Sequence, residues 1–143
     1  MPATKVSKEF LDMLNKAISS ELQVAIQYMW QHVQWSGVQA FAVKDALKSA
    51  AIDEMKHAEM IAERLFYLGG IPTTAPAPIN VCKNLKEMLI QDEKDERGAI
   101  ELYKKIIAKA NAEGDEVDSR MFRQILQDEE DHHDTFESLL EGM

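Results

Sequence analysis

The chain has 143 residues, a formal net charge of −9 at pH 7 and a hydrophobic fraction of 45%. This length and composition predict one soluble domain, residues 1–143, with a hydrophobic core, and the acidic balance argues against binding to nucleic acid or to an anionic membrane. Cys82 is the single cysteine, so no disulfide can form within one chain. No signal-peptide pattern and no long apolar stretch is present, and we therefore expect a cytoplasmic protein.

Four helices are predicted from apolar periodicity and from capping residues. Ser7 is a plausible N-cap, and Gly37 interrupts the first periodic segment. The second segment stops at Gly69, and the third opens with Asn84 followed by Glu87, an N-cap with a glutamate at the third position. The predicted helices run over about residues 7–36, 39–68, 84–113 and 115–140.

The lengths of the connections predict how these helices are arranged. The first and third connections are short, which favours antiparallel hairpins. The middle segment, residues 69–83, carries three of the four prolines and would reach roughly 50 Å if extended. A helix of about 30 residues is about 45 Å long, so this segment can cross the whole length of one. We predict an all-α four-helix bundle in which two antiparallel hairpins are joined by a long crossover.

The motif Asp-Glu-x-x-His occurs twice, at residues 53–57 and 128–132. Its glutamates, Glu54 and Glu129, are each preceded at the same spacing by another glutamate, Glu21 and Glu96. All four glutamates lie near the middle of an apolar stripe with helical spacing, and each motif histidine follows one turn later on the same face. The pattern therefore predicts that four carboxylates and two imidazoles converge inside the bundle.

Four buried carboxylates require compensation, because an isolated buried charge costs roughly several kcal/mol. No lysine or arginine lies on the four apolar stripes. Two divalent cations would balance the carboxylates, with neutral imidazoles completing the ligand shells, and these donors suit iron or manganese better than zinc. The sequence thus predicts a two-metal site with these ligands: Glu21, Glu54, His57, Glu96, Glu129 and His132.

From about Val6 to Leu140 the sequence resembles bacterioferritins, which are ferritin-like di-iron proteins. The segments that carry the resemblance are Glu21-Leu22 with Gln27-Tyr28, Ile52-Asp53-Glu54-Met55-Lys56-His57-Ala58-Glu59, Glu87-Met88-Leu89 leading to Glu96, and Ile125-Leu126-Gln127-Asp128-Glu129-Glu130-Asp131-His132. The resemblance implies a ferroxidase that oxidises Fe(II) to Fe(III) with dioxygen or peroxide, for iron storage or detoxification. It also implies that two irons are bridged by Glu54 and Glu129, one also held by Glu21 and His57 and the other by Glu96 and His132.

The resemblance suggests roles for two further residues. Tyr28 matches a tyrosine thought to supply electrons in the family, although a simple core aromatic is an equal alternative. Met55 matches a methionine that ligates a haem b shared across a twofold dimer interface, and a plain packing methionine is the alternative there. Because one chain cannot complete such a haem site, haem would require a homodimer.

Two features depart from the family pattern. Bacterioferritins continue into a short fifth helix that lines a fourfold axis, whereas this sequence ends at Met143, and the aromatic residue that often follows the second motif is Thr135 here. We therefore expect a homodimer or a larger homo-oligomer, with formation of a cage left open. The alternatives are a rubrerythrin-like peroxidase, which usually carries a Cys-x-x-Cys domain, a DNA-coating miniature ferritin, and a non-catalytic bundle.

Overall fold

The computed structural model describes residues 2–143 and contains four helices: α1 (Lys8–Gln34), α2 (Val38–Tyr67), α3 (Leu85–Glu113) and α4 (Glu116–Glu141). No strand is present within residues 2–143. The prediction of an all-α four-helix bundle is therefore confirmed. No helix in this part of the chain has a stretch that is both long enough and apolar enough to cross a bilayer.

Side-chain caps fix where three of the helices begin. The Ser7 hydroxyl accepts a hydrogen bond from the backbone N–H of Phe10, and the Asn84 side chain accepts one from Glu87. Asp115 caps α4 in the same way. Each cap satisfies one of the N–H groups that the first turn leaves without a partner. Gly114 follows the last residue of α3 and caps the helix, and its left-handed φ of +77° is adopted most easily by glycine.

The middle segment crosses the bundle alongside α1. Near its start, the Asn15 side chain donates a hydrogen bond to the carbonyl of Ile71 at 3.0 Å. Near its end, the Gln31 side chain donates to the carbonyl of Val81 at 3.3 Å. The segment thus runs parallel to α1 and delivers the chain to the end where α2 began, so α3 runs in the same direction as α2. The two hairpins, α1 with α2 and α3 with α4, are joined by this crossover as predicted.

The core consists of two apolar clusters separated by a polar layer. One cluster contains Phe10, Leu14, Ile61, Leu65, Ile106 and Phe122, and the other contains Leu47, Met88, Leu89 and Phe136, among other residues. Burial of each large apolar side chain stabilises the fold by about 1.5–3 kcal/mol. The apolar clusters on both sides of the polar layer therefore fix the rotation of each helix about its own axis. This rotation determines which polar side chains point into the polar layer.

Candidate metal centre

The structure brings all six predicted ligand residues together in the polar layer. Each helix contributes one glutamate, and α2 and α4 each add the histidine of their motif. The glutamates are at most 1% exposed. Their ligand atoms form two groups, and within each group all the atoms lie within 4.8 Å of one another. One group contains Glu21, Glu54, His57 and Glu129; the other contains Glu54, Glu96, Glu129 and His132.

The two groups share Glu54 and Glu129, which lie between the two histidines. His57 Nδ1 is 2.9 Å from Glu129 Oε1 and 3.3 Å from Glu54 Oε1. His132 Nδ1 is 3.0 Å from Glu54 Oε1 and 3.8 Å from Glu129 Oε1. Glu21 completes the first group, with Oε2 at 3.6 Å from His57 Nδ1, and Glu96 completes the second at 3.6 Å from His132 Nδ1. The arrangement is therefore a pair of adjacent candidate metal sites that share the carboxylates of Glu54 and Glu129.

Eight buried atoms in this cluster make no hydrogen bond of normal geometry, although each histidine Nδ1 lies within 3.0 Å of a glutamate oxygen. They are both carboxylate oxygens of Glu54 and of Glu129, one oxygen each of Glu21 and Glu96, and Nδ1 of both histidines. An unsatisfied buried polar atom costs about 1–3 kcal/mol, so such a concentration needs either protons or bound cations to compensate it. Carboxylate oxygens and imidazole nitrogens are donors for divalent cations, and two such cations would balance four carboxylates. The residues present therefore fit a pair of divalent metal ions.

An aspartate from the opposite motif orients each histidine. His57 Nε2 lies 2.8 Å from Asp128 Oδ2, and His132 Nε2 lies 3.1 Å from Asp53 Oδ2. When Nε2–H donates to a carboxylate, the neutral imidazole keeps its lone pair on Nδ1, which is the atom that faces the cluster. Sequence reasoning did not assign a role to these aspartates. The signal that could have revealed them is the aspartate that begins both copies of the motif.

Two buried tyrosines hold the two glutamates that belong to only one group each. Tyr28 on α1 donates to Glu96 Oε1 on α3 at 2.7 Å, and Tyr103 on α3 donates to a carboxylate oxygen of Glu21 on α1. Tyr28 was predicted as a site residue, whereas no role was predicted for Tyr103. Each tyrosine lies at the same spacing after the glutamate of its own helix, and this repetition is the signal for Tyr103.

Burial and mutual repulsion favour protonated forms in this cluster. Burial raises the pKa of both Glu54 and Glu129 well above the usual range, and the charges of the neighbouring glutamates add to the effect. Burial alone would lower the pKa of His57, but close contacts with Glu129 and Glu21 outweigh it and raise that pKa to about 11. Contacts with Glu96 similarly raise the pKa of His132 to about 10, against the effect of burial. Cations that bind here must therefore displace protons.

Met55 lies outside this cluster, on the outer face of the first hairpin. Its side chain is 47% exposed. It lines a groove of about 410 Å³ between α1 and α2 that is mostly apolar, with Ala25, Ile26, Met29, Trp30, Ala51 and Ile52 as neighbours. The groove is a separate surface feature that the metal ligands do not reach.

Comparison with known proteins agrees with this architecture. The family model for the ferritin-like domain matches residues 11–143. The bacterioferritin of Desulfovibrio desulfuricans is 34% identical over 130 residues, which are 90% of this chain and 73% of that protein. The chain belongs to the bacterioferritins of the ferritin-like family. Brucella melitensis bacterioferritin is 32% identical over 142 residues, covering 96% of this chain and 86% of that protein.

Solved structures of ferritin-like proteins superpose closely on the bundle. A ferritin-like diiron-carboxylate protein from Bacillus anthracis gives a TM-score of 0.90 at 28% identity and covers 93% of this chain and 96% of that one. Rhodobacter capsulatus bacterioferritin, whose structure has a metal-free dinuclear site and a heme iron, gives 0.86 at 27% identity, with coverages of 96% and 87%. Desulfovibrio desulfuricans bacterioferritin, described with its diiron site in different catalytic states, gives 0.81 at 31% identity, with coverages of 93% and 78%.

Proposed function

We propose that this bacterioferritin-family chain is a ferroxidase that oxidises Fe(II) to Fe(III) with dioxygen or peroxide, for iron storage or detoxification. The observation that carries the proposal is the set of eight unpartnered oxygen and nitrogen atoms, arranged as two groups around the shared Glu54 and Glu129. Iron is favoured over manganese because the Desulfovibrio desulfuricans relative is described with a diiron site. The same proposal places the chain in the cytoplasm, where Fe(II) and the free thiol of Cys82 are kept reduced.

In this proposal each residue of the cluster has a defined task. Glu54 and Glu129, which belong to both groups, would help to hold both iron ions, and each ion would have one further glutamate and one histidine. When bound, two Fe(II) ions would supply one electron each, and these two electrons reduce dioxygen to peroxide or peroxide to water. The remaining ligands of the two ions are Glu21 with His57, and Glu96 with His132.

The residues around the ligands keep the cluster in place. Asp128 and Asp53 hold the imidazoles with Nδ1 toward the ions, and Tyr103 and Tyr28 fix the rotation of Glu21 and Glu96. Burial raises the pKa of both tyrosines, so both hydroxyls remain protonated donors at neutral pH. Tyr28 is in addition proposed as an electron relay, because its hydroxyl touches a ligand carboxylate directly.

The ferroxidase proposal is tested by adding Fe(II) in air and following the ferric absorbance per chain. We expect rapid oxidation of two Fe(II) per chain in the parent and its loss in Glu96→Ala and Glu129→Ala. Glu130→Ala is a matched control, since Glu130 is the next residue on α4 and is exposed. The catalytic proposal fails if the two ligand variants oxidise iron as fast as this control. In crystals of the parent protein loaded with iron, anomalous scattering at the iron edge shows whether both groups of ligand atoms hold iron.

The relay role of Tyr28 has its own test. Freeze-quenched samples taken after oxidation of less than two Fe(II) per chain should contain a tyrosyl radical detectable by electron paramagnetic resonance. The signal should be absent from Tyr28→Phe and present in Tyr103→Phe, which loses an equivalent hydroxyl. Equal signals in both variants would remove the relay role and leave Tyr28 as a residue that positions Glu96.

We also propose that Met55 ligates a haem b between two copies of the chain. The support is the exposed thioether in an apolar groove of about 410 Å³, together with the heme iron of the Rhodobacter capsulatus relative. Hemin added to the protein should bind between two chains and give a Soret band typical of two thioether ligands, and Met55→Leu should lose this band. Retention of that band in Met55→Leu would exclude this ligand.

One rival is disfavoured by the geometry. In the DNA-coating miniature ferritins the metal site is assembled between two subunits, whereas both ligand groups here come from a single chain. No described feature favours the peroxidase or the non-catalytic alternative over the ferroxidase.

A further inference from the structure

A second buried polar network lies at the end of the bundle where the crossover joins α3. It contains Gln27 and Gln31 of α1 and Asp92 of α3, all three fully buried. Gln31 Nε2 donates to Asp92 Oδ1 at 3.0 Å, and Gln27 Nε2 donates to the same oxygen at 3.0 Å. None of these residues belongs to either ligand group, so the metal centre does not explain why they are buried.

Two oxygen atoms in this network have no hydrogen-bond partner, Asp92 Oδ2 and Gln31 Oε1. Reversing the Gln31 amide would not help, because Oε1 would then lie against two other acceptors. These are Asp92 Oδ1 and the Val81 carbonyl, which Nε2 now contacts at 3.0 and 3.3 Å. Gln27 has no donor to spare, since its Nε2 is shared between Asp92 Oδ1 and Asp95 Oδ2. Two acceptors on neighbouring side chains thus lack a donor.

One proton on Asp92 would supply the missing donor for both atoms. A carboxylic acid and a primary amide can form a ring of two hydrogen bonds. In that ring the amide N–H donates to one carboxyl oxygen, and the O–H on the other carboxyl oxygen donates to the amide oxygen. The first of these bonds joins Gln31 to Asp92 already, and the two unpartnered atoms are the ones that the second bond would join.

The surroundings of Asp92 also favour the neutral acid. The titratable groups that face it are Asp95 and Glu96 on its own helix, the Tyr28 hydroxyl on α1 and the Cys82 thiol of the crossover. None of these groups carries a positive charge. Burial raises the pKa of Asp92 well above its usual range, and the charges of Asp95 and Glu96 add to the shift. The hydrogen bonds from the two glutamine amides oppose it without cancelling it.

We propose that Asp92 carries a proton in the folded chain and donates it in a hydrogen bond to Gln31 Oε1, and that this neutral acid–amide pair latches the end of the crossover onto α1 and α3. Gln31 also donates to the carbonyl of Val81 in the crossover. The next residue, Cys82, has a φ of +69°, a left-handed conformation that is uncommon for residues other than glycine. The latch therefore holds an unfavourable turn in place just before α3 begins.

The proton also keeps Asp92 out of the charge balance of the metal centre, and this part of the inference rests on the proposed function. Asp92 lies about one helical turn before Glu96, a proposed ligand. An ionised Asp92 would be a fifth buried carboxylate, whereas two divalent cations balance only four. With Asp92 neutral, the chain binds two cations and not three.

The proton should be visible in how stability depends on pH. The unfolded chain ionises Asp92 above about pH 3.9, whereas the folded chain retains the proton. The contribution of Asp92 to stability is therefore complete below that pH and is lost as pH rises toward the folded pKa. Asp92→Asn can form the same ring with its amide and has no proton to lose.

Urea denaturation of the full chain, with a chelator present, compares the two proteins. Between about pH 5 and pH 7 the unfolding equilibrium constant of the parent should rise about tenfold per pH unit relative to that of Asp92→Asn. Groups that titrate alike in both proteins cancel in this ratio. Asp131→Asn is the control, because it changes an exposed aspartate on α4, and it should follow the parent at each pH.

Infrared spectroscopy detects the proton directly. A protonated carboxyl group has a carbonyl stretching band that an ionised carboxylate lacks, and subtraction of the Asp92→Asn spectrum from that of the parent isolates the band of Asp92. We expect this band at pH 7. In Gln31→Met, with Gln31→Met/Asp92→Asn as its reference, the band should move to higher wavenumber, because the hydrogen-bonding partner is gone while a side chain of similar size remains.

A cation held by Asp92 and Gln31 is the rival explanation for the two unpartnered oxygens. In a spectroscopic titration the parent and Asp92→Asn should each bind two Co(II) per chain. The inference is overturned if Asp92→Asn binds one Co(II) fewer than the parent or does not fold, if the ratio of unfolding constants is the same at every pH, or if the acid band is absent. If the parent binds no Co(II), the proposed metal centre fails, whereas the unfolding and infrared measurements still decide whether the latch exists.

Discussion

The histidines are the residues whose orientation depends most on their neighbours. A free imidazole can present either nitrogen, and only the contact at Nε2 selects Nδ1 as the atom that faces the glutamates. His57 takes this contact from Asp128, and His132 takes it from Asp53. Because each aspartate belongs to the other motif, α2 and α4 fix one another's ligands.

The aspartates should therefore affect cation affinity without being ligands. We expect Asp128→Asn to weaken binding of Co(II) by about 10–100-fold, the usual effect of losing such an outer partner. A neutral amide holds the Nε2–H less firmly and makes Nδ1 a weaker donor. Equilibrium competition with a chelator measures the change. Asp131→Asn is the control, as Asp131 is exposed on the same helix; similar affinities in the two variants would contradict this role.

The tyrosine hydroxyls make a contribution that can be measured without metal. Tyr28→Phe and Tyr103→Phe each leave a buried carboxylate oxygen without its donor, so each should lower the free energy of unfolding of the metal-free protein by about 1–3 kcal/mol. Urea denaturation measures both values, and Tyr67→Phe is the control, since Tyr67 is about half exposed, at 48%. Variants as stable as this control would show that the hydroxyls do not hold the glutamates.

At the scale of the elements, a buried ion pair ties the end of α2 to the start of α4. Arg64 donates to Asp118 and to Asp115, the residue that caps α4. Both aspartate side chains are fully buried, while that of Arg64 is 17% exposed. Burial and the nearby Asp115 raise the pKa of Asp118 to about 7 even though Arg64 opposes the shift. The guanidinium is thus what allows two carboxylates to share this position.

Removal of Arg64 should be costly for that reason. We expect Arg64→Met to lower the free energy of unfolding by about 3–5 kcal/mol, the range for leaving a buried charge without its partner. Arg97→Met is the matched control, because Arg97 is 61% exposed and its pair with Glu93 is worth about 0–1 kcal/mol. Chemical denaturation compares the two. Equal losses would mean that the buried pair is no more important than a surface pair.

The sequence predicted the helices and the six clustered residues because both leave periodic signals. A glutamate on an apolar stripe and a repeated Asp-Glu-x-x-His motif can be read within one helix. The contacts of Arg64, Tyr103 and Asn15 join residues far apart in the chain and depend on the rotation and the pairing of whole helices. The crossover's path along α1 was likewise hidden, since Asn15 and Gln31 look like ordinary polar residues until their partners are known.

At the scale of the whole molecule, the polar layer must be neutralised in one of two ways. Without metal, protons do it, because the pKa values of Glu54, Glu129, His57 and His132 are all raised. A raised pKa in the folded state gives stability that is complete below the pKa of the unfolded chain and is lost as pH rises through the folded value. For both histidines this stabilisation begins to be lost above about pH 6.5, the pKa of histidine in an unfolded chain. The loss is complete only above pH values of about 10 for His132 and about 11 for His57.

The metal-free protein should consequently become less stable as pH rises from 7 to 10, and the cation-loaded protein should be affected much less. Cations replace the protons, so their binding gains from high pH, and the difference in Tm between the two forms should widen across this range. Thermal melts with Zn(II) or with a chelator measure it at each pH. In the double variant Glu54→Gln/Glu129→Gln, the Tm of the metal-free protein should depend less on pH, and Zn(II) should no longer raise Tm. Neutral amides remove the charges that protons and cations compensate. A metal-free Tm that increases toward pH 10 would mean that something other than protons balances these carboxylates.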